Sequence, residues 1–91
     1  MQLQDALYNW LSIKKVAEAR PDDRAAEETC DFFQEILEED HHLENLNVSL
    51  QEDRYIVHYR IDGQDESKQF PKALVDALLN SIESEPKYDH Q

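Results

Sequence analysis

The chain has 91 residues and a formal net charge of −12 at pH 7, from 21 acidic and 9 basic residues. This length suffices for one domain with one core, and a hydrophobic content of 40% argues against wholesale disorder. The negative field repels phosphate backbones and anionic lipid headgroups, so it disfavours direct nucleic-acid binding and membrane-surface binding. A protein with a basic surface is the partner that this charge favours.

The amino-terminal residues predict a cytoplasmic protein. The segment Met1–Asp5 lacks the basic and apolar regions of a signal peptide, and no apolar run approaches the length of a membrane-spanning helix. Cys30 is the single cysteine, so it has no partner for an internal disulfide, and its apolar neighbours predict a small buried side chain.

Apolar residues at helical spacing predict a first helix from Leu3 to Glu18. Pro21 ends it near Arg20, because proline disfavours helical geometry in the residue before it. The apolar stripe is broad enough to contact two neighbouring elements, and it contains Leu3, Ala6, Leu7, Trp10, Leu11, Ile13 and Val16.

A second helix is predicted from Asp23 to Asp40, with Asp22 or Asp23 as its amino-terminal cap. Its apolar stripe contains Ala25, Ala26, Cys30, Phe32, Phe33, Ile36 and Leu37. The opposite face carries the acidic residues Glu27, Glu28, Asp31, Glu35, Glu38 and Glu39. Like charges one turn apart weaken a helix slightly. The acidic face is therefore interpreted as either a solvated surface or a partner-binding surface, and both interpretations stay open.

Three strands follow, and the alternation of apolar and polar residues sets their register. Their predicted ranges are Asn45 to Leu50, Tyr55 to Ile61 and Glu66 to Phe70. Two short turns connect them, Glu52-Asp53 and the type I′ signal Asp62-Gly63. The expected pairs on one face are Leu50–Tyr55, Val48–Val57, Leu46–Tyr59 and Tyr55–Phe70. Those on the other face are Ser49–Ile56, Asn47–His58, Asn45–Arg60, His58–Ser67 and Arg60–Asp65.

A third helix is predicted from Lys72 to Ser84, with Pro71 at its first helical position. Leu74 and Leu78 lie at the centre of its apolar pattern. Residues 1–85 are expected to form a single globular domain, and residues 86–91 a flexible tail.

The element order helix, helix, strand, strand, strand, helix predicts a two-layer α+β domain, in which helices cover one face of a three-stranded antiparallel meander. In the alternative arrangement, residues 41–50 extend the helical part and leave only one hairpin.

The helix-free face of such a sheet forms an open and mostly neutral platform. Its partner-binding candidates are Asn45, Asn47, Ile56, His58 and Arg60, beside Ser49, Ser67 and Gln69. The platform is interpreted as a solvated surface, a docking surface or a homodimer contact.

Histidines at the end of the second helix give a weak candidate metal site, formed by Glu38, His41 and His42. The spacing of Glu38 and His41 is the Glu-x-x-His spacing that di-iron proteins use on separate helices. It occurs here at one helix end only, and the preference of histidine for a helix carboxyl terminus explains the residues more simply. No cofactor is expected.

Catalytic patterns are missing from the sequence, which has no glycine-rich phosphate loop, no assembled Ser/His/Asp set and no paired cysteine ligands. We therefore expect a non-enzymatic protein-binding or regulatory domain of the inhibitor, immunity or adaptor type. It would act through the acidic helix face, the open sheet face or both. The alternatives are a DNA mimic that blocks a nucleic-acid-binding protein and a binder of a metal or small ligand, centred on the Glu38, His41 and His42 group or on His58.

Overall fold

The computed structural model describes residues 1–83, so the predicted tail over 86–91 lies outside the described residues. The elements in chain order are α1 (Leu3–Ala19), α2 (Arg24–Glu35), a π-helical turn (Ile36–Asp40), β1 (Glu44–Gln51), β2 (Arg54–Ile61), β3 (Gln64–Pro71) and α3 (Lys72–Glu83). The predicted order of elements is confirmed. The alternative in which residues 41–50 extend the helical part is wrong, because β1 occupies most of that segment.

The start of α2 is fixed by a side-chain cap. Asp23 accepts a hydrogen bond from the backbone N–H of Ala26 at 3.0 Å, so it satisfies one of the free donors at the helix start. Arg20 also pairs with Asp23 at 3.3 Å across the short loop from α1. Of the two predicted caps, the structure therefore uses Asp23.

The sheet is an antiparallel meander in the order β1-β2-β3, as predicted. Val48 pairs with Val57, and Tyr55 lies between Leu50 and Phe70. Each of these pairs places apolar side chains together on one face, so a shift of one residue would turn the buried Tyr55, Val57 and Phe70 away from the helices.

The predicted pairing of Asn45 with Arg60 is wrong, and the predicted pair of Leu46 with Tyr59 is likewise not part of the observed register. Glu44 is the residue opposite Arg60, because a β-bulge between Glu44 and Asn47 inserts one extra residue. Asn45 has a left-handed φ of 55°, which asparagine tolerates better than most residues. The bulge leaves the pairing from Asn47 onward in its predicted register.

The two hairpin turns differ in their backbone. Asp62 and Gly63 have φ values of 53° and 79°, the two positive values that a type I′ turn requires. In the other turn Glu52 has a φ of 56°, whereas Asp53 does not have a positive φ.

The core lies between the sheet and the helices. α1 packs against both α2 and α3, and α3 also contacts β2 and β3. The buried cluster contains Ala6, Leu7, Trp10, Leu11, Leu37, Leu43, Tyr55, Val57, Tyr59, Phe70 and Val75. The domain is thus a two-layer α+β fold. In the described part of the chain, no helix is both long and apolar enough to cross a membrane.

The apolar face of α3 is rotated from the one that its sequence pattern indicates. Val75 is fully buried, whereas Leu74 and Leu78 have exposures of 56% and 42%. The helix meets the sheet along the line of Val75 and Asp76, because Tyr55 of β2 donates a hydrogen bond to Asp76 at 3.0 Å. Pro71 is the last residue of β3 and not the first of the helix.

Candidate functional site

The acidic face of α2 continues into the π-helical turn and is open to solvent. We use the name acidic face for Glu27, Glu28, Asp31, Glu35, Glu38, Glu39 and Asp40, all of which are exposed. The described residues provide no ion pair to any of these carboxylates. Gln34 makes a neutral contact with this face, because its side-chain amide donates to Glu38 at 3.3 Å. The negative charge of this face is therefore not neutralised within residues 1–83.

Phe32 lies on the solvent side of α2, although the sequence pattern placed it in the apolar stripe. Its exposure is 59%, and its ring contacts Phe33 edge-on with centroids 5.5 Å apart. The side of α2 and the π-helical turn that faces α1 and the core instead carries Ala26, Phe33 and Leu37. An exposed aromatic ring among carboxylates is the feature of this helix that the sequence did not predict.

Phe32 borders a shallow depression of about 130 Å³ at the end of α2. The depression is lined by Phe32, Glu35, Ile36, Glu39 and Asp40. Its apolar wall and its carboxylate rim could accept a side chain with an alkyl stem and a cationic end, such as arginine or lysine.

Glu35 and Glu39 lie close together where α2 passes into the π-helical turn. The backbone N–H of His41 bonds the carbonyl of Ile36 at 3.3 Å, one residue beyond the ordinary helical spacing. Hydrogen bonding and repulsion from Glu35 raise the pKa of Glu39, and the charges of Asp40 and Glu38 raise it further. A cation bound here would relieve this repulsion.

The open sheet face is less accessible to a binding partner than the sequence indicates. Ile56 has an exposure of only 8%, so this proposed contact residue is not accessible. Polar pairs on the same face enclose it: Arg54 donates to Gln69 at 2.8 Å, and the hydroxyl of Ser49 lies 3.2 Å from the Nε2 atom of His58. The face therefore presents polar groups that are already paired with one another.

The remaining candidates of this face lie towards its other end. Asn45 and Asn47 are exposed, and the side-chain amide of Asn47 donates to the carbonyl of Asn45 at 3.2 Å. Arg60 donates a hydrogen bond to Asp65 at 3.1 Å. This bond and the negative charge of Asp65 raise the pKa of Arg60, and the charge of Glu44 raises it further. The cation that the sequence placed here is thus held by carboxylates of the same chain.

The histidines after α2 do not assemble a metal-binding group. The Nε2 atom of His41 lies 3.0 Å from the carbonyl oxygen of Met1, and His42 has a left-handed φ of 59°. Within residues 1–83, no three His, Cys, Asp or Glu side chains are grouped so that they could hold a metal ion.

A cleft of about 490 Å³ between α1 and β1 is a feature that the sequence pattern did not predict. Two aromatic rings lie beneath ammonium groups here: Lys14 is 5.7 Å from the ring centre of Trp10, and Lys15 is 4.8 Å from that of Tyr55. Glu18 pairs with both lysines, at 3.4 and 3.1 Å. Partial burial raises the pKa of Glu18, but the two lysines together lower it below its usual value. The two lysines therefore share one carboxylate, which offsets one of their two charges.

Cys30 is half-buried against the core and not fully buried as predicted. Burial raises the pKa of its thiol, which Lys14 lowers only in part. The thiol is therefore protonated and poorly nucleophilic at neutral pH.

Comparisons with protein-family models, with curated proteins and with solved structures found no match to this chain. The surfaces described above are therefore the basis for a functional assignment.

Proposed function

We propose that the chain is a protein-binding domain that recognises a basic partner through the acidic face, with Phe32 as its apolar anchor. The observation that carries the proposal is the 59% exposure of Phe32 among carboxylates that have no ion pair within residues 1–83. Aromatic side chains dominate the binding energy of many interfaces, whereas rim charges mainly steer association and select partners.

The acidic face supports this proposal better than the open sheet face does. A docking surface needs an accessible side chain that a partner can desolvate, and Ile56 is already enclosed by its neighbours. The polar pairs of the sheet face would also have to exchange their hydrogen bonds during binding. We therefore place the contact on α2 and the π-helical turn.

The test is affinity capture from a cell lysate with the full chain as bait, followed by affinity measurement with the partner recovered. The charge variant replaces Glu27, Asp31 and Glu35 by lysine. Its matched control replaces Asp5, Glu52 and Glu66, three exposed acids outside the acidic face, by lysine. Both variants change the net charge equally, so loss of binding in the first alone assigns the contact to the acidic face.

The anchor is tested separately with Phe32→Ala, for which Leu74→Ala is the control because Leu74 has a similar exposure of 56%. We expect Phe32→Ala to weaken binding by about tenfold or more and Leu74→Ala to leave it unchanged. Binding should also weaken as salt is added. Equal affinities for Phe32→Ala and the parent chain would remove the anchor from the proposal.

Mimicry of DNA is the second interpretation that the carboxylates suggest. Glu27, Asp31 and Glu35 follow one another by one helical turn each, which gives a row of charges spaced by about 6 Å. Phe32 interrupts that surface with an apolar group that a phosphate backbone lacks, and this favours an ordinary protein contact. Competition between the chain and duplex DNA for the recovered partner would show mimicry instead.

A further inference from the structure

The two edges of the sheet are protected to different degrees. β3 carries Asp65 and Glu66, ends in Pro71, and directs Lys68 to the helix-covered face opposite Val57. Charges, proline and an inward-pointing lysine are the devices that keep an edge strand from pairing with another chain. β3 is therefore a closed edge.

β1 has none of these devices over most of its length. No charged residue and no proline lies between Glu44 and Glu52, and no strand of the described chain pairs with its outer edge. The bulge at Asn45 disrupts only the first part of the strand. The regular stretch from Asn47 to Gln51 is thus a neutral, unprotected edge on a molecule of net charge −12.

The hydrogen-bonding groups of this edge can be assigned from the hairpin. A two-residue turn closes on a hydrogen-bonded pair, here Gln51 and Arg54, and hydrogen-bonded residues alternate along an antiparallel strand. The backbone groups of Val48 and Leu50 therefore point outward.

We propose that the β1 edge pairs with β1 of a second copy of this chain, antiparallel and centred on Val48, to form one continuous six-stranded sheet. In this register Val48 faces its own counterpart, and Leu46 faces Leu50 of the second copy. All three apolar residues of the strand are then matched, which fits the self-complementary surface of a two-fold dimer. The arrangement covers Leu50, whose exposure is 53%, and it extends the sheet beside the cleft that Leu46 and Val48 line.

Neutrality of the strand favours a second copy over the basic partner of the acidic face. A cationic segment would meet no carboxylate between Glu44 and Glu52, whereas an identical strand offers the same apolar alternation. The two copies repel each other through their net charges, so added salt should tighten the dimer. The acidic-face interaction has the opposite salt dependence.

The first test measures the mass of the full chain by sedimentation over about a hundredfold range of concentration. Leu50→Lys places a charge on the exposed edge, and Leu74→Lys is its control at a similar exposure. We expect a concentration-dependent dimer that Leu50→Lys weakens by about tenfold or more and that Leu74→Lys leaves within about twofold. A chain that is monomeric throughout, a dimer insensitive to Leu50→Lys, or a dimer that salt weakens would overturn the proposal.

The second test fixes the register through cysteine pairing. In a Cys30→Ala background, Val48→Cys should form an intermolecular disulfide, because residues facing each other across such a pair lie about 5.5 Å apart at Cα. Ser67→Cys, on the outer edge of β3, is the control that should not. Equal crosslinking at both positions would exclude the β1 contact. The acidic-face lysine variants leave β1 unchanged. The proposed dimer and the proposed basic partner can therefore be contradicted independently of each other.

Discussion

Glu52 shows how a single residue can be held in a costly conformation by the strands around it. Its φ of 56° is left-handed, a region that costs a residue with a side chain roughly 1–2 kcal/mol. The register of the hairpin imposes this geometry, because Gln51 and Arg54 must face each other on either side of a two-residue turn. The turn therefore stores strain that the sequence did not reveal.

We expect Glu52→Gly to raise the free energy of unfolding by about 0.5–1 kcal/mol, since glycine adopts the left-handed region without steric cost. Asp53→Gly is the matched control, because it removes the same charge at a position without a positive φ. It should lower the free energy of unfolding instead. Urea denaturation of both variants measures the difference, and equal effects would show that charge, and not backbone strain, governs this turn.

Phe32 and Ile56 each have the opposite exposure to the one that their sequence pattern indicates. Phe32 falls within the apolar spacing of its helix but is exposed, whereas Ile56 falls on the helix-free face of the sheet but is nearly buried. Helical and strand periodicity assign a residue to a face, but neighbouring side chains decide how much of that face water reaches. Of the two surfaces that the sequence left open, the helix face and the sheet face, this difference favours the helix face as the proposed contact.

The third helix is where element periodicity and tertiary packing disagree most. Its leucines Leu74 and Leu78 give the stronger pattern, yet the smaller Val75 enters the core. The reason lies in the attachments of the helix: the backbone N–H of Lys72 bonds the carbonyl of Asp53 at 2.7 Å, and Tyr8 donates to the carbonyl of Leu74 at 3.1 Å. These bonds fix the rotation of the helix about its axis.

Alanine substitutions separate the two faces of this helix. We expect Val75→Ala to lower the free energy of unfolding by about 2 kcal/mol, because it leaves a cavity in a packed site. Leu74→Ala removes a larger side chain but should change stability by less than about 0.5 kcal/mol. Thermal or urea denaturation checks both values. A larger loss for Leu74→Ala would mean that the leucine face is covered in solution.

A polar cluster around Asp76 joins the helical layer to the sheet. Asp76 of α3 accepts hydrogen bonds from Tyr55 of β2 and from Lys72. Burial and the bond to Asp76 raise the pKa of Tyr55, and the bond and charge of Asp76 raise the pKa of Lys72. The ordinary values of these groups are 10.0 and 10.5. Groups with raised pKa values bind protons more tightly in the folded state, so their stabilisation is complete below those values and is lost as pH rises.

We therefore expect the free energy of unfolding to fall as pH rises above about 10, and to fall less steeply in Asp76→Asn. Asp65→Asn is the control, because Asp65 pairs with Arg60, which does not titrate in this range. Urea denaturation at several values between about pH 8 and about pH 11 gives the slopes. An alkaline slope in Asp76→Asn equal to that of the parent chain would contradict the assigned role of this cluster.

The distribution of charge along the chain follows from the sequence. It favours a partner with a basic surface. Residues 21–54 carry most of the negative charge, and α2 with its π-helical turn holds the acidic face within that segment. Lys14 and Lys15 of α1 share Glu18, so one of their two charges is offset within that helix. The acidic face and the neutral β1 edge are thus distinct surfaces with opposite expected responses to salt.

Local patterns in the sequence predicted the element order, a cap at Asp22 or Asp23, the Asp62-Gly63 turn and the strand register from Asn47 onward. These depend on contacts between near neighbours, for which alternation and turn chemistry carry enough information. The tertiary structure alone decided the bulge at Asn45, the rotation of α3 and the exposure of Phe32. Each depends on how layers meet, because hydrogen bonds and side chains from distant segments choose between faces that the local pattern leaves nearly equivalent.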